Sequence, residues 1–256
     1  MQAPAAAGGV FVSVPFGRLG DTIRNVGRFG HVPGRTRAGA VEYSPKEGDR
    51  FVEALSKEIA ARAAEFAGRT FNTVYFGGCG PSALSLDQLY RVLQVLYDSV
   101  SIVPVEQTLV VLPGTVDPYR AKVLFESGFD RMELRMADAA GEAGHFATLR
   151  EAGFRSVGLD VPLVSDAALG LEPDHLVLAA PPASPLPSEF REYLPNHFCR
   201  PGHECRYLAD FESGADCVGF GPGAVARSKG AVVQNESRYD AWLKAARSGK
   251  PATRSV

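Results

Sequence analysis

The feature that most constrains the fold is a repeated exchange between two hydrophobic periods. Short apolar runs alternate with stretches whose apolar residues recur every three or four positions. Residues 10–15 read as a buried strand, and Asp49–Gly68 as an amphipathic helix with Phe51, Leu55, Ile59, Ala63 and Phe66 on one stripe. Thr70–Gly77 reads as the next strand. Ser85 caps the following helix, with Gln88 as its capping-box partner and Leu89, Val92, Leu93 and Leu96 as its buried face. Leu109–Leu112, Arg131–Met136, Arg155–Val161 and His175–Ala180 continue as strands, and Pro118–Glu126, His145–Ala152 and Arg238–Arg247 as helices. Only Ser165–Leu171 separates the last two strands, room for about two helical turns. The alternation predicts an α/β fold with a parallel sheet and right-handed crossovers. Residues 18–46, rich in Gly and Arg, predict a long loop. The polar tail after Arg247 is predicted to fray.

Five segments punctuate this pattern. Residues 11–24 read F-V-S-V-P-F-G-R-L-G-D-T-I-R, and Phe76–Ser82 read F-G-G-C-G-P-S. Leu112–Asp117 read L-P-G-T-V-D, Arg200–Cys205 read R-P-G-H-E-C, and Gly219–Ala224 read G-F-G-P-G-A. They resemble segments of the oxygen-independent coproporphyrinogen-oxidase-like radical SAM family, which includes a haem-chaperone branch, and the last two match it most closely, in order and at the expected relative spacing. The resemblance covers most of the chain and implies an α/β fold of a particular kind. That fold is a truncated parallel (β/α)6 partial barrel over residues 1–180, with a short C-terminal extension, 181–256, packed on it. The sequence ends where the family's terminal helical domain is expected to begin.

The resemblance also implies cluster cysteines at positions 17, 21 and 24, where this chain has Gly17, Asp21 and Arg24. Iron–sulfur clusters are held by thiolates, so the cluster is expected to be absent. The family's glycine-rich loop supports the amino group of S-adenosylmethionine. Its further ligand-binding acid and amide correspond here to Val110 and Leu112. The H-N-x-x-Y-W motif of the haem-chaperone branch reads Y-L-A-D-F-E over Tyr207–Glu212. Neither S-adenosylmethionine nor haem is therefore a favoured cofactor. The turn glycines and prolines, which serve the backbone, are retained.

Strand side chains alternate between faces. In Arg131–Met136 one face is charged and the other apolar, and the apolar face must meet the outer helices. Arg131, Glu133 and Arg135 then point into the barrel. The same logic places Phe11 and Ser13, Thr73 and Tyr75, Thr108, Val110 and Leu112, and Ser156, Gly158 and Asp160 inside. Buried charges cost several kcal/mol unless paired or solvated. Two readings follow: an internal ion-pair network that plugs the barrel, or a pocket in which Arg135 grips a carboxylate-bearing molecule.

Other constellations carry less. His197, Cys199, His203 and Cys205 form a doubled H-x-C with zinc-ligand chemistry. Two of the four already belong to the R-P-G-H-E-C segment, and no metal is expected. Tyr207 has the chemistry of an axial haem ligand without the rest of a haem motif. Cys79 would be a nucleophile only beside a base, and the sequence names none. The Gly77–Gly80 turn before a helix has anion-binding geometry.

A net charge of −2 without a polybasic block excludes nucleic acid and anionic membrane as favoured partners. The N-terminus lacks a signal-peptide pattern, no apolar run approaches membrane-spanning length, and four cysteines in 256 residues point to a reducing, cytoplasmic setting. The leading functional expectation is non-radical binding or conversion of a small carboxylate-bearing molecule at the barrel mouth, in bacterial specialised metabolism. Glu133, Asp160 and Tyr75 would be the catalytic groups, with Arg131, Arg135, Gly77, Gly78, Cys79, Ser82 and Ser13 binding the ligand. The competing expectations are a non-catalytic accessory pseudoenzyme, alone or paired with a protein partner or a second copy, and a haem or tetrapyrrole carrier.

Overall fold

Six parallel strands lie side by side in chain order and carry the fold. In the computed structural model, which describes residues 7–17, 40–137, 139, 141–249 and 253–255, they are β1 (Ala7–Val14), β2 (Phe71–Gly78), β3 (Ile102–Val111), β4 (Arg131–Arg135), β5 (Ser156–Val161) and β6 (His175–Leu178). The connecting helices are α1 (Pro45–Arg62), α2 (Leu86–Ser99), α3 (Pro118–Glu126), α4 (Ala143–Glu151) and the one-turn α5 (Asp166–Gly170). This is the alternation expected of a partial barrel.

The two faces of the sheet have different cores. Val10, Val12 and Val14 of β1, Val74 and Phe76 of β2, Leu109 and Val111 of β3, and Met132 and Leu134 of β4 join the helices in one large apolar cluster. Phe11, Tyr75 and Val110 belong to a separate cluster on the opposite face. The inside–outside alternation read from the sequence is therefore the one the chain adopts.

Local signals explain most element ends. Ser85 and Gln88 form a reciprocal capping box at α2. The helix predicted over residues 49–68 instead starts at Pro45, because Ser44 accepts a hydrogen bond from the Glu47 amide at 3.2 Å and proline suits the first helical position. Its last turn is a tight 3₁₀ turn, Ala63–Phe66. β3 is longer than predicted, since its first half includes exposed Val103 and Val105 and lacks a buried pattern. Pro15–Gly17 and Val41 are joined by two backbone hydrogen bonds, of 2.9 and 3.1 Å. Most of the predicted loop, residues 18–39, lies outside the described residues, as do Asp21 and Arg24.

The C-terminal region holds strands that composition concealed. A hairpin of β7 (Arg191–Leu194) and β8 (His197–Cys199) adds antiparallel to β6. After α6 (Arg206–Glu212), the strand β9 (Val218–Phe220) adds parallel to β1, on the opposite side from β2. The strands β10 (Val225–Ser228) and β11 (Ala231–Asn235), helix α7 (Tyr239–Arg247) and β12 (Thr253–Ser255) follow. The tail predicted to fray instead pairs as β12 against β11. Among the described residues no helix is long and apolar enough to cross a membrane.

Candidate active site

The carboxyl ends of β2, β4 and β5 converge on one guanidinium. Arg135 is the last residue of β4, and register places Asp160 of β5 directly beside it. Its Nε donates to Asp160 Oδ2 at 2.5 Å. Its Nη1 donates to the carbonyls of Gly78 and Cys79 at 2.6 and 2.8 Å. Those carbonyls are aimed at it because β2 ends in a turn at Gly78 (φ +95°), where an added Cβ would lie 2.5 Å from the Val14 carbonyl oxygen. Only glycine adopts that conformation in that space. Burial alone would lower the Arg135 pKa, but Asp160 and then Glu133 outweigh it and hold the cation firmly charged.

Two residues back on β4, Glu133 accepts a 3.0 Å hydrogen bond from the Tyr75 hydroxyl of β2. The pair crosses β3, where Val110 is the register partner of Glu133. Burial, and secondarily the charge of Asp160, push the Glu133 carboxyl up to about 7. Burial raises the Tyr75 phenol as well, with Glu133 adding to it. One residue pair of the expected catalytic set is thus bonded, with a carboxyl able to exchange a proton near neutrality.

The remaining candidates go elsewhere. Ser13 donates to the Pro222 carbonyl at 2.7 Å, tying β1 to the G-F-G-P-G-A segment. Ser82 shares a 2.7 Å hydrogen bond with Thr115 and accepts one from the Leu112 amide at 2.9 Å, tying the glycine-rich loop to the L-P-G-T segment. Gly77 is the register partner of Ser13, and a Cβ there would lie 2.8 Å from the rings of Phe11 and Tyr75. Cys79 is buried beside Ala40. Arg131 lies a full pleat below Glu133 and bonds to Ser156 and His203.

The inner face is covered by the chain itself. Tyr207, Leu208 and Phe211 of α6 pack on Phe11, Tyr75 and Val110. Phe11, Tyr75 and Tyr207 form an aromatic trio with ring centroids 5.6–6.0 Å apart. Tyr207, weighed as a haem ligand, is a buried member of this stack with its phenol pKa raised by burial. The sequence reading missed α6 as a plug, although its Y-L-x-x-F spacing carried a helical signal. A cleft of about 780 Å³ exists at a different place, between the N-terminal ends of α1 and α7, lined by residues such as Ser44, Arg50 and Tyr239.

The thiolate-held cluster of the resembled family does not fit the residues around Gly17. The first cysteine in the chain is Cys79, so the segment around Gly17 offers no thiolate. The four cysteines are buried at the end of β2, in β8, at the start of α6 and before β9. Among the described residues no three His, Cys, Asp or Glu side chains converge as metal ligands. His197 instead bonds through Nδ1 to the Pro195 carbonyl at 2.9 Å. At the glycine-rich loop, the carbonyls of Gly78 and Cys79 already face the Arg135 cation.

No protein-family model matches the chain. The haem chaperone HemW of Mycobacterium tuberculosis is 28% identical over an alignment of 235 residues, covering 69% of this chain and 60% of that protein. The oxygen-independent coproporphyrinogen III oxidase of Escherichia coli is 28% identical over 128 residues, 44% of this chain and 28% of the oxidase. The chain thus spans about 60% of the length of the haem chaperone it matches. The structure of E. coli coproporphyrinogen III oxidase HemN, described as a radical SAM enzyme, superposes with a TM-score of 0.73 at 18% identity, over 99% of this chain and 72% of that one. By sequence and by fold, the chain is a homologue of HemW and HemN, and it carries Gly17, Asp21 and Arg24 where the resembled family is expected to have cluster cysteines.

Proposed function

We propose that this protein is a non-catalytic accessory member of its lineage, a barrel of residues 1–180 with an extension, 181–256, that occupies its own interior. The observation that carries this reading is Arg135. Its guanidinium rests on the Gly78 and Cys79 carbonyls while Asp160 neutralises it. A cationic group thereby stands at the loop that, by family resemblance, receives the amino group of S-adenosylmethionine. A second cation there would meet like charge in a site of low dielectric.

The test has two arms. Equilibrium dialysis with S-adenosylmethionine and anaerobic reconstitution with iron and sulfide should both give no stoichiometric binding. In the native host, a Glu133→Gln, Asp160→Asn double variant that folds should rescue a gene-deletion phenotype as well as the wild type does. Stoichiometric S-adenosylmethionine, cleavage of it, or failure of the folded variant to rescue would each remove the accessory reading.

One observation favours a second reading, the binding or conversion of a small carboxylate-bearing molecule. The Glu133 carboxyl, pushed up to about 7 and bonded to the Tyr75 phenol, has the proton affinity of a general acid–base group. A ligand carboxylate would replace Asp160 on Arg135, and a ligand-dependent rise in melting temperature would support it.

A further inference from the structure

Among the described residues seven large apolar side chains stand exposed, and five of them lie on three consecutive elements: Tyr90 and Tyr97 of α2, Val103 and Val105 of β3, and Tyr119 of α3. The packing of the outer layer explains why they gather there. α1 packs against α2 and α7, and α3 against α4, but α2 and α3 make no comparable contact among the described residues. Polar ties hold these elements along one flank instead. Gln107 of β3 accepts the Tyr97 hydroxyl at 2.9 Å and donates to the Gly128 carbonyl, just beyond α3, at 2.8 Å. Arg120 of α3 donates to the Ser82 carbonyl, just before α2, at 3.0 Å. Tyr90 lies seven residues from Tyr97, so both rings stand on one stripe of α2. Arg91 turns the other way, to Asp49 of α1.

This flank offers side chains rather than a strand edge. Val103–Val105 fall in a register shift against β2, pairing with β4 starts only at Thr108, and Pro104 has no N–H to give a ladder. An apolar surface of a few hundred Å² marks an interaction site, and tyrosine is enriched in protein interfaces. The three tyrosines are 63, 38 and 71% exposed. At roughly 200 Å² per aromatic side chain they leave about 350 Å² in water, before the valines are added. Each partner in a standard interface contributes about 800 Å², of which about 450 Å² is apolar. The flank is therefore of the size that one folded protein partner covers.

Charge points to which partner. α2 carries Asp87 and Asp98 against Arg91, and α3 carries Arg120 and Lys122 against Glu126, so the two helices have net charges of −1 and +1. In a twofold contact one patch meets itself, and α2 of each copy can lie on α3 of the other. Opposite net charges then meet twice, whereas a flank of one sign would repel its own copy. We propose that the α2–β3–α3 flank is the interface of a homodimer, with a second copy of this chain as its occupant. The proposal stands apart from the accessory reading, because the flank lies on the outer side of the sheet and the Arg135 network on the inner side.

The test uses the full chain. Sedimentation equilibrium at about 100 µM should give twice the chain mass. A Tyr90→Glu, Tyr119→Glu double variant, with unchanged circular dichroism because both positions are exposed, should dissociate at least about 100-fold more readily. Val103→Glu, on the strand rather than the helices, should act in the same direction and serves if the double variant does not fold. Leu163→Glu, which removes an exposed apolar side chain outside the flank, should leave the dimer intact. A wild type that is monomeric at about 100 µM would leave the flank to another occupant and overturn the proposal. So would a folded flank variant as dimeric as the wild type, or loss of the dimer in Leu163→Glu.

Discussion

Glu133 shows how one carboxyl can be held by opposing forces. Burial favours its neutral form, and the charge of Asp160 adds to that, while Arg135, Arg131 and the Tyr75 hydroxyl favour the anion. Burial wins and the group titrates near 7. A carboxyl whose folded pKa is raised contributes stability below its unfolded pKa and loses it as pH rises through the folded value. The loss falls between about pH 4.5 and 7 and amounts to about 3 kcal/mol at most, at 1.36 kcal/mol per pKa unit. Glu133→Gln removes the titration. The melting temperature of the variant relative to wild type should therefore climb by several degrees between pH 5 and pH 8. A difference that stays flat across that range, measured by calorimetry, would contradict the burial of this charge.

At the scale of the element, the turn that ends β2 decides what the rim can bind. Gly78 turns with φ +95° against the backbone of Val14, and the bend delivers two carbonyls to Arg135. Gly78→Ala would place a methyl group 2.5 Å from the Val14 carbonyl oxygen, in a backbone conformation that L-residues avoid. We expect a loss of about 2–3 kcal/mol in urea unfolding and, in the folded fraction, altered Arg135 exposure seen as faster modification by a dicarbonyl reagent. A variant as stable as wild type would show that the turn does not constrain the rim. This glycine was legible as a turn in the F-G-G-C-G-P-S segment. Its role as the seat of an arginine was not, because Arg135 is 57 residues away along the chain.

The whole molecule is tied together at Glu58. This residue of α1 has zero exposure and four donors: the Gly221 amide at 3.0 Å, Asn235 Nδ2 at 2.6 Å, Trp242 Nε1 at 2.8 Å and Arg62 Nη1 at 3.3 Å. They come from the G-F-G-P-G-A segment, β11, α7 and α1 itself. Burial raises the Glu58 pKa while the Gly221 amide, Arg62, Trp242 and Asn235 work against that rise, and removing the side chain orphans every donor. Glu58→Ala should cost about 3–5 kcal/mol, read from chemical denaturation. Because the donors span both ends of the chain, hydrogen exchange in β9 and α7 should rise with that in α1. A loss confined to α1 would mean that the hub does not couple the two regions.

Much of this was readable from local periodicity. Strands and helices are short-range statements, and so is the alternation that put Tyr75, Arg131, Glu133, Arg135 and Asp160 on one inner face. The cluster chemistry was equally a matter of residue type, since glycine and arginine offer no thiolate wherever the chain places them. Three things were not readable: α6 filling the inner face, Ser13 and Ser82 turning to other loops, and Arg135 meeting the Gly78 and Cys79 carbonyls. Each depends on groups distant along the chain competing for the same few donors and acceptors. Burial makes that competition strict, because every buried polar atom needs a partner and only the folded packing sets which partners lie within reach.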